Sequence, residues 1–355
     1  MVAVSAAVTL DSEDGTWFRD GASLAVVARS AATALARRIG LSGHRSAEVA
    51  LAVTEAATNV QRHAVDGALL LRVVRSGDQA GVEFVTVDSG AGMTDVPADL
   101  ADGTSSAGSL GIGLGMVSRL SDHFDLHSVP GRGTVMTAQF WPRTVDGRAV
   151  VASPGSFPAG GVTRPISGES VCGDAWAVRN TVGDDTGHRP AILVMLCDGL
   201  GHGPLAARAS QAAVRAFHAT RDPSPEGVLG AVHLALRGTR GGAVAVARIE
   251  PAAGRLLYCG IGNVSGFLVG DGGRKALISA PGIVGSHMRR LRTFEEPLPQ
   301  HGALVMHSDG LTERWDHGSL PGLLQHSPLV MAGQLLREAG VRRDDAGVVV
   351  IKGAW

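Results

Sequence analysis

The stretch AILVMLCDGLGHG, residues 191–203, joins an apolar run to an aspartate and a series of closely spaced glycines. An apolar run of this length that ends at a turn signal is typical of a buried strand. Asp198 would then stand at the end of a rigid strand, and Gly199 would open the turn behind it. A simpler interpretation is that Asp-Gly marks only a hairpin turn. One such site does not distinguish a functional aspartate from an ordinary turn.

The combination of an aspartate with an apolar strand recurs through the second half of the chain. It appears in VCGDAWAV (171–178), GALVMHSDGLTE (302–313) and RRDDAGVVVI (342–351), which contain Asp174, Asp309, Asp344 and Asp345. Carboxylates that converge on one place repel one another unless cations neutralise them, and hard oxygen ligands suit Mg²⁺ or Mn²⁺. The recurrence favours a metal site over a set of unrelated turns.

The order of these motifs resembles a known family. Gly-Asp, DGLGHG, SDGL and DDA, with CGIGNVSGFLV (259–269) and GIVG (282–285), are similar to the metal-dependent, PP2C-like protein phosphatases of the bacterial sporulation and stress-response type. The resemblance covers roughly residues 162–352 and implies an α-β-β-α sandwich that holds two Mn²⁺ or Mg²⁺ ions. Two ions about 3.5–4 Å apart activate water for attack on a phosphoserine or phosphothreonine, so no protein nucleophile is needed.

The resemblance also implies a role for each residue of the motifs. Asp198 is expected to be catalytic and to bridge the two ions, one of which the carbonyl of Gly199 also binds. Asp174 is expected to hold the second ion, partly through water. Asp309 and Asp344 are expected to complete the metal site.

Three further residues have roles that the sequence leaves open. Asp345 belongs to the metal-site set and is expected to support the other ligands, although the Asp344–Asp345 pair is not resolved. His202 is either a general acid for the leaving serine oxygen or a structural residue of its turn. The eukaryotic branch of the family carries a phosphate-binding arginine; Arg164 is the nearest candidate here, and otherwise the metals alone bind phosphate.

The first half of the chain contains a helix with a polar stripe. The sequence EVALAVTEAATNVQRHA (48–64) places Glu55 and Asn59 four residues apart, so they share one helical face. Ala50, Val53, Ala57 and Val60 suit the buried face. Taken alone, the polar stripe predicts only a solvated surface.

Two glycine-rich segments change that interpretation. VDSGAGM (87–93) puts Asp88 at a strand end before Gly90 and Gly92, and GSLGIGLGMVSRL (108–120) puts four glycines just before a helix. Glycines let the backbone approach phosphate oxygens, and a helix start offers free N–H groups. No parallel strand–loop–helix unit opens with these glycines, so they do not form a dinucleotide fingerprint.

With GRGT (131–134), these segments resemble the histidine-kinase/gyrase-type ATP-binding fold, in particular the anti-sigma and stressosome-switch serine kinases, over about Val8–Trp141. The resemblance implies that Asn59 binds the Mg²⁺ of ATP, that Glu55 positions or deprotonates the acceptor serine or a water, and that Asp88 accepts from the adenine amino group. The other nucleotide contacts that it implies are Gly90 and Gly92 at the ring, Thr134 beside it, and Gly111, Gly113 and Gly115 over the phosphates. Residues 94–109 would form a mobile lid. No phospho-accepting histidine helix pair precedes the pocket, which disfavours a sensor histidine kinase.

Pattern and composition predict two domains of mixed α/β (α+β) class. The expected boundaries are an ATP-binding domain at 1–143, a Pro/Gly-rich linker at 144–160 and the phosphatase domain at 161–355. RAVVAS (148–153) could instead be a strand of the second domain. Two helices are expected near the start. The first, at 21–40, has Leu24, Val27, Ala31, Ala34 and Leu35 near one face, and the second, at 46–64, has Ser46 as a candidate cap.

Composition excludes several classes of partner. The chain has 355 residues, a formal net charge of −1 and 4% aromatic residues, which argues against nucleic-acid binding. No signal peptide or membrane span is predicted. The three cysteines, Cys172, Cys197 and Cys259, show no metal or CxxC spacing and are expected to be reduced core residues. These features predict a cytoplasmic protein without a membrane partner.

The two motif sets together suggest a bacterial switch protein with opposed activities. The first half would be a serine kinase, and the second half would remove phosphate from a partner of the anti-sigma-antagonist type or from a sigma factor. One alternative is a phosphatase gated by an ATP-binding interaction module that transfers no phosphate. Another is a scaffold in which both sites are inactive.

Overall fold

The computed structural model describes residues 9–11, 15–19, 21–76, 79–101, 113–144, 158–181, 190–288, 290–315 and 322–353. The first strand, β1 (Thr9–Asp11), is separated along the sequence from the rest of its unit by the other unit. Contacts divide the chain into a first unit, Glu13–Ser156, and a second unit, which joins Met1–Ser12 to Phe157–Trp355.

The first unit is an antiparallel sheet with helices packed on it. In its described part the strands run in the order β2-β3-β4-β6-β5. Its strands are β2 (Thr16–Arg19), β3 (Ala68–Ser76), β4 (Gln79–Val87), β5 (His123–Val129) and β6 (Gly133–Phe140). Its helices are α1 (Leu24–Arg38), α2 (Gly43–His63), α3 (Val96–Leu100) and α4 (Gly113–Leu120). The core lies between the sheet and the long pair α1 and α2.

The face predicted for helix α1 was right for Leu24 and Leu35, which lie in or against the core, and wrong for Val27. Its buried residues are Leu24, Ala28, Ala32 and Ala36, whereas Val27 is 47% exposed. A stripe of alanines at every fourth position lies on one face of a helix and lets α1 approach α2 closely, so packing distance outweighs side-chain hydrophobicity here.

Helix α2 buries the face that the sequence predicted. Ala50, Val53, Ala57 and Val60 are all buried, which confirms that interpretation. The predicted cap was wrong, because the Oγ of Ser42 accepts the Arg45 N–H at 3.2 Å and Ser46 lies inside the helix, itself buried.

The second unit contains two antiparallel-rich sheets. The larger has the order β1-β8-β9-β10-β11-β14, with β15 also paired to β11, and the smaller has the order β13-β12-β16-β17-β7. The strands of its first part are β7 (Ala159–Arg164), β8 (Asp174–Thr181), β9 (Ala191–Gly199), β10 (Gly242–Glu250) and β11 (Arg255–Ile261). The later strands are β12 (Ser265–Gly270), β13 (Gly273–Leu277), β14 (Ser279–Ala280), β15 (Phe294–Pro297), β16 (Ala303–His307) and β17 (Ala346–Lys352).

Helices cover the outer face of each sheet. Helices α5 (Pro204–Ala219) and α6 (Pro225–Leu236) pack on the larger sheet, and α7 (Pro328–Ala339) packs on the smaller one. The inner faces meet through residues such as Trp176, whose ring lies where a side chain at Gly161 would project. The layer order is therefore α-β-β-α, and the predicted α+β fold class is confirmed.

The predicted linker extends too far toward the second unit. Ala159 and Gly160, the last two residues of the expected linker at 144–160, already lie in β7, where they pair with Ile351 and Val350. A Cβ on Gly160 would lie 2.5 Å from the backbone nitrogen of Leu329, so glycine here permits close packing of α7 rather than flexibility. RAVVAS lies outside the described residues.

Strand β1 belongs to the second unit, although the sequence analysis placed it with the ATP-binding domain. Leu10 pairs with Val178 of β8 in an antiparallel ladder, and a carboxylate oxygen of Asp11 lies 3.4 Å from Nε2 of His218 on α5. The first unit is therefore inserted between the first and second strands of the other unit along the chain.

Candidate metal centre and nucleotide pocket

Strand register brings two of the predicted metal ligands together. Asp174 opens β8, Asp198 lies near the end of β9, and the two residues are direct partners across the antiparallel pair. Directly opposed side chains lie on the same face of a sheet. The larger sheet therefore presents two carboxylates side by side at one end, where the apolar run of β9 stops.

The glycines beside these aspartates are required by close backbone contacts. The N–H of Gly199 donates to the carbonyl of Gly173 at 3.1 Å. A Cβ on Gly199 would lie 2.5 Å from the carbonyl oxygen of Ala206, in the first turn of α5. Helix α5 can therefore begin directly behind the Asp198 turn.

The smaller sheet contributes Asp309, which follows β16. The side-chain amide of Asn263 donates to Oδ2 of Asp309 at 2.6 Å. A Cβ on Gly310 would lie 1.8 Å from the carbonyl oxygen of Asp345, so the turn after Asp309 packs tightly against the Asp344–Asp345 segment. Sequence analysis did not single out Asn263, although it lies inside the quoted CGIGNVSGFLV segment.

Ser308 is a second residue that sequence analysis missed. It is fully buried, its Oγ accepts the N–H of Gly347 at 2.9 Å, and its hydroxyl also hydrogen-bonds to Asp174. Ser308 therefore links the two sheets and orients the Asp174 carboxylate. Its position directly before Asp309 in the SDGL motif was the available signal.

Asp345 is held by the backbone on both of its carboxylate oxygens. Oδ1 accepts the N–H of Ile166 at 2.7 Å and Oδ2 accepts the N–H of Gly173 at 2.8 Å. The Asp344 side chain, by contrast, accepts the N–H of Asp345 through Oδ1. This arrangement favours Asp345 as the residue that fixes the loop before Asp174, and Asp344 as the ligand of the pair.

The carboxylates strongly perturb one another. Burial, then the charges of Asp309 and Asp344, raises the pKa of Asp198 to about 8. Burial and the charge of Asp198 raise the pKa of Asp174 well above its usual range, and the hydrogen bond from Ser308 opposes that shift. Burial and Asp344 likewise raise the pKa of Asp309. All three carboxylates would gain from a nearby positive charge.

The donor set fits divalent cations. Oδ2 of Asp174 is buried and has no hydrogen-bond partner among the described residues, which leaves an oxygen ligand without a partner beside Asp198. Within the same residues, no group of three or more histidine, cysteine, aspartate or glutamate side chains is placed, as the side chains stand, to hold a metal ion. Mg²⁺ usually keeps several waters and binds through one or two carboxylates, so an open carboxylate cluster suits it.

The raised pKa values predict how the metal-free protein responds to pH. The folded state binds the Asp198 proton more tightly than the unfolded state, whose pKa is near the ordinary 3.8. The stability that the Asp198 proton contributes is therefore fully present below about pH 4, and it is lost as the pH rises toward about 8. We expect thermal unfolding of the chelator-treated protein to show this loss, and the Asp198→Asn variant to lose less stability over the same range.

Asp271→Asn provides the matched control, because Asp271 is an exposed aspartate of the same unit. Each variant differs from the wild-type protein at one aspartate only, so the difference between the pH slopes of stability isolates the contribution of that aspartate. Identical slopes for the wild-type protein and Asp198→Asn would contradict the electrostatic account.

The contacts of Gly199 lead to a second prediction. The change Gly199→Ala places a methyl group against the carbonyl oxygens of Ala206 and Gly173, at 2.5 and 2.8 Å. We expect the free energy of unfolding to fall by about 1–3 kcal/mol, as for overpacked sites, in urea titrations of the metal-free protein. Gly272→Ala, where nothing lies within 4 Å of the added carbon, should change it by less than about 0.5 kcal/mol. Equal effects of the two changes would rule out the steric explanation.

The first unit brings Glu55, Asn59 and Gly113 together. A Cβ on Gly113, the first residue of α4, would lie 2.9 Å from Oε2 of Glu55 and 4.0 Å from Nδ2 of Asn59. Both side chains are partly buried, unlike those of a freely solvated stripe. The helix start, with its unsatisfied N–H groups, therefore faces the two polar side chains of α2.

Asp88 and Thr134 form the other recognisable part of the pocket. The backbone groups of these residues pair with each other at 3.0 and 3.2 Å. Oδ1 of Asp88 accepts the N–H of Gly90 at 2.8 Å, and Oγ1 of Thr134 shares a hydrogen bond of 2.8 Å with Oγ of Ser128. The turn after β4 also contacts the end of α2, since Ser89 donates to the Val65 carbonyl.

The glycines after Asp88 have a structural role that the sequence did not predict. A Cβ on Gly90 would lie 2.5 Å from the carbonyl oxygen of His63, and one on Gly92 would lie 2.2 Å from that of Val129. Gly92 also has a φ of +68°, which favours glycine. Protein packing alone therefore requires glycine at both positions. Gly115 is buried in α4, and Gly111 lies outside the described residues, as does the second half of the expected lid, residues 102–109.

Two other candidate residues, His202 and Arg164, have their described contacts outside the carboxylate cluster. Nδ1 of His202 lies 3.2 Å from Oε1 of Glu169, and His202 is largely exposed. A guanidinium nitrogen of Arg164 donates to the Val341 carbonyl at 2.8 Å, so Arg164 supports the turn before Asp344. Burial raises the pKa of the Cys172 and Cys197 thiols, and all three cysteines are free.

Each half of the chain matches a family model. Residues 20–140 match the histidine kinase-like ATPase domain, and residues 189–352 match stage II sporulation protein E. Glu55, Asn59 and Asp88 fall in the first range, and Asp198 falls in the second, whereas Asp174 precedes it. Both resemblances drawn from the sequence are confirmed.

Characterised relatives match the two halves separately. Serine/threonine-protein kinase RsbT of Bacillus subtilis (strain 168) is 34% identical over 118 residues, which are 33% of this chain and 89% of RsbT. Phosphoserine phosphatase RsbX of the same strain is 23% identical over 145 residues, which are 41% of this chain and 69% of RsbX. A crystal structure of RsbX in complex with magnesium is 20% identical with a TM-score of 0.43, and covers 54% of this chain and 92% of that chain. None of the described helices is long and apolar enough to cross a membrane.

Proposed function

Because this chain belongs to the histidine kinase-like ATPase family and carries a second domain of the stage II sporulation protein E family, we propose that it is a two-way phosphorylation switch. Its first unit transfers phosphate from ATP to a serine or threonine of a regulatory protein. Its second unit is a metal-dependent phosphatase that removes such a phosphate. The observation that carries the proposal is the convergence of Asp174, Asp198, Asp309 and Asp344, where burial and then the neighbouring charges raise the pKa of Asp174 and Asp198.

In the phosphatase unit, the protein's role is to hold and orient charge. Asp198 and Asp174, with the carbonyl of Gly199, would bind two Mn²⁺ or Mg²⁺ ions, and Asp309 and Asp344 would complete their ligands. When bound, such ions lower the pKa of a water and neutralise phosphoryl oxygens. Ser308 fixes the Asp174 carboxylate, Asn263 fixes Asp309, and Asp345 fixes the loop before Asp174.

Nδ1 of His202 lies 3.2 Å from Oε1 of Glu169. A carboxylate at Nδ1 orients an imidazole ring and favours the proton on that nitrogen. Its exposed position suits a residue at the rim of the site. We assign it the structural role in the turn, and leave protonation of the leaving oxygen to solvent.

In the first unit, the substrate is ATP with its Mg²⁺. Asn59 would bind that ion, Asp88 with Thr134 would bind the adenine, and Gly113 would cover the phosphates together with Gly111 and Gly115. Glu55, next to the start of α4, would deprotonate the acceptor hydroxyl. Positioning and charge neutralisation supply most of the catalysis in phosphoryl transfer, which is consistent with so few reactive groups.

The partner class follows from the two relatives. A kinase and a phosphoserine phosphatase in one chain suit a small regulatory protein of the anti-sigma-antagonist type, or a sigma factor, as the shared substrate. This expectation rests on the family resemblance.

A single experiment follows phosphate through both steps. The purified full chain is incubated with γ-³²P-labelled ATP, Mg²⁺ and an antagonist-type protein, and MnCl₂ is then added after ATP is depleted. We expect label to appear on a serine or threonine of the partner and then to be released as inorganic phosphate. Release without prior transfer, tested on a chemically phosphorylated partner, would support the gated-phosphatase alternative. No release from any phosphoprotein by folded, manganese-loaded protein would refute the phosphatase proposal.

A further inference from the structure

Arg240 lies beside the metal-binding loop and was not singled out by any motif. Its guanidinium Nη1 lies 2.7 Å from the position that a Cβ on Gly201 would occupy. Gly201 follows Asp198 by three residues in the same DGLGHG turn and has a φ of +86°. The absence of a side chain at Gly201 thus leaves room for the guanidinium group directly over the turn.

The backbone around Arg240 is anchored on both sides. The N–H of Leu200 donates to the Gly241 carbonyl at 3.0 Å, and Gly242 exchanges both of its backbone hydrogen bonds with Val284. The hydroxyl of Thr239 accepts the N–H of Gly241 and donates to the Leu236 carbonyl. A rigid backbone of this kind fixes the direction from which an arginine approaches the site.

Arg240 has charge to offer to a ligand. It is exposed, and no described residue forms an ion pair or hydrogen bond with its side chain. Three other arginines of this unit are engaged: Arg164 binds a carbonyl, Arg248 binds Glu250 and Arg274 binds the Glu313 carbonyl. A guanidinium group matches the planar, bidentate geometry of phosphate oxygens.

Resting on the proposed phosphatase function, we propose that Arg240 binds the phosphoryl group of the phosphoprotein substrate at the rim of the metal centre. The carboxylate cluster repels a phosphate dianion, and the bound cations attract it. Arg240 adds a positive charge that belongs to the protein itself, so this charge is the same whether Mn²⁺ or Mg²⁺ is bound. It is a substrate-binding residue, and its contribution is made to the bound substrate as much as to the transition state.

The test compares Arg240→Ala with two other arginine variants in the full, manganese-loaded chain. A small aryl phosphate ester and a phosphoserine peptide serve as substrates, and calorimetry measures the binding of inorganic phosphate. We expect Arg240→Ala to raise KM for both substrates and Kd for phosphate by about tenfold or more, with kcat nearly unchanged, as for loss of uniform binding. The KM and Kd values of Arg240→Lys should fall between those of the wild-type protein and those of Arg240→Ala, because lysine keeps the charge without the bidentate geometry.

Arg237→Ala is the matched control, since Arg237 is an exposed arginine three residues earlier. Unchanged KM and phosphate affinity in Arg240→Ala would overturn the proposal. So would an effect confined to peptides with acidic flanking residues, or an equal effect in Arg237→Ala. A wild-type protein that hydrolyses no phosphate ester would count against the proposed function, whereas an active wild-type protein with an unaffected Arg240→Ala variant would sink only this inference.

Discussion

Replacing Asp198 with alanine should reduce manganese-dependent hydrolysis of a phosphate ester by about 1,000-fold or more, because the proposed bridging carboxylate acts as a unit with the other ligands. The same change should remove tight binding of Mn²⁺ in calorimetry. Asp198 faces Asp174 across the strand pair, so no neighbouring carboxylate can take its place without a shift of the sheet. Initial rates at saturating ester and a series of MnCl₂ concentrations provide the measurement.

The thermal stability of the metal-free Asp198→Ala variant shows whether a loss of activity comes from misfolding. Burial and neighbouring charges raise the pKa of Asp198 to about 8, so its removal should leave metal-free thermal stability unchanged or higher near neutral pH. Asp271→Ala, at an exposed aspartate, should retain full hydrolysis. An Asp198→Ala protein that still hydrolyses the ester within tenfold of the wild-type rate would refute the assigned role.

Replacing Glu55 with alanine should separate nucleotide binding from phosphate transfer in the first unit. ATP affinity should stay within about threefold, whereas single-turnover transfer to the partner should fall by about 100-fold or more, the usual contribution of a general base. Asn59→Ala should instead lose ATP affinity, because Asn59 is the expected ligand of the nucleotide's Mg²⁺. Rapid-quench measurements with labelled ATP and fluorescence titration of a nucleotide analogue give the two quantities.

The control for this pair is Arg62→Ala, an exposed residue on the same helix, which should alter neither quantity. Transfer that survives in Glu55→Ala at the wild-type rate would exclude Glu55 as the base. If the wild-type protein binds ATP but transfers no phosphate, the first unit is the ATP-binding gating module and not a kinase.

The candidate site could be predicted largely from local patterns. Asp198 and Asp309 each follow an apolar strand and precede a glycine, and those features lie within a few residues of one another along the chain. The pairing of Asp174 with Asp198 depends on strand register, which no local pattern specifies. Ser308 and Arg240 were missed for the same reason, since their partners Asp174 and Gly201 lie far away in sequence.

The errors in the fold have a related origin. In α1 the buried stripe consists of alanines, because closeness to α2 counts for more than the size of each apolar side chain. In β7 the glycines indicated a linker, yet they are required by the contacts of α7 and Trp176. In both cases a small residue is chosen for what packs against it, and that neighbour is known only once the fold is known.

The position of β1 has a consequence for how the chain is assembled during synthesis. β1 is synthesised before Glu13–Ser156, whereas its partner β8 is synthesised after the whole of that unit. Domains generally fold as units as they emerge, so the inserted unit has time to fold while β1 waits unpaired. Three residues ending in a charged aspartate make a poor template for aggregation, which suits a strand that must remain exposed until the rest of its sheet arrives.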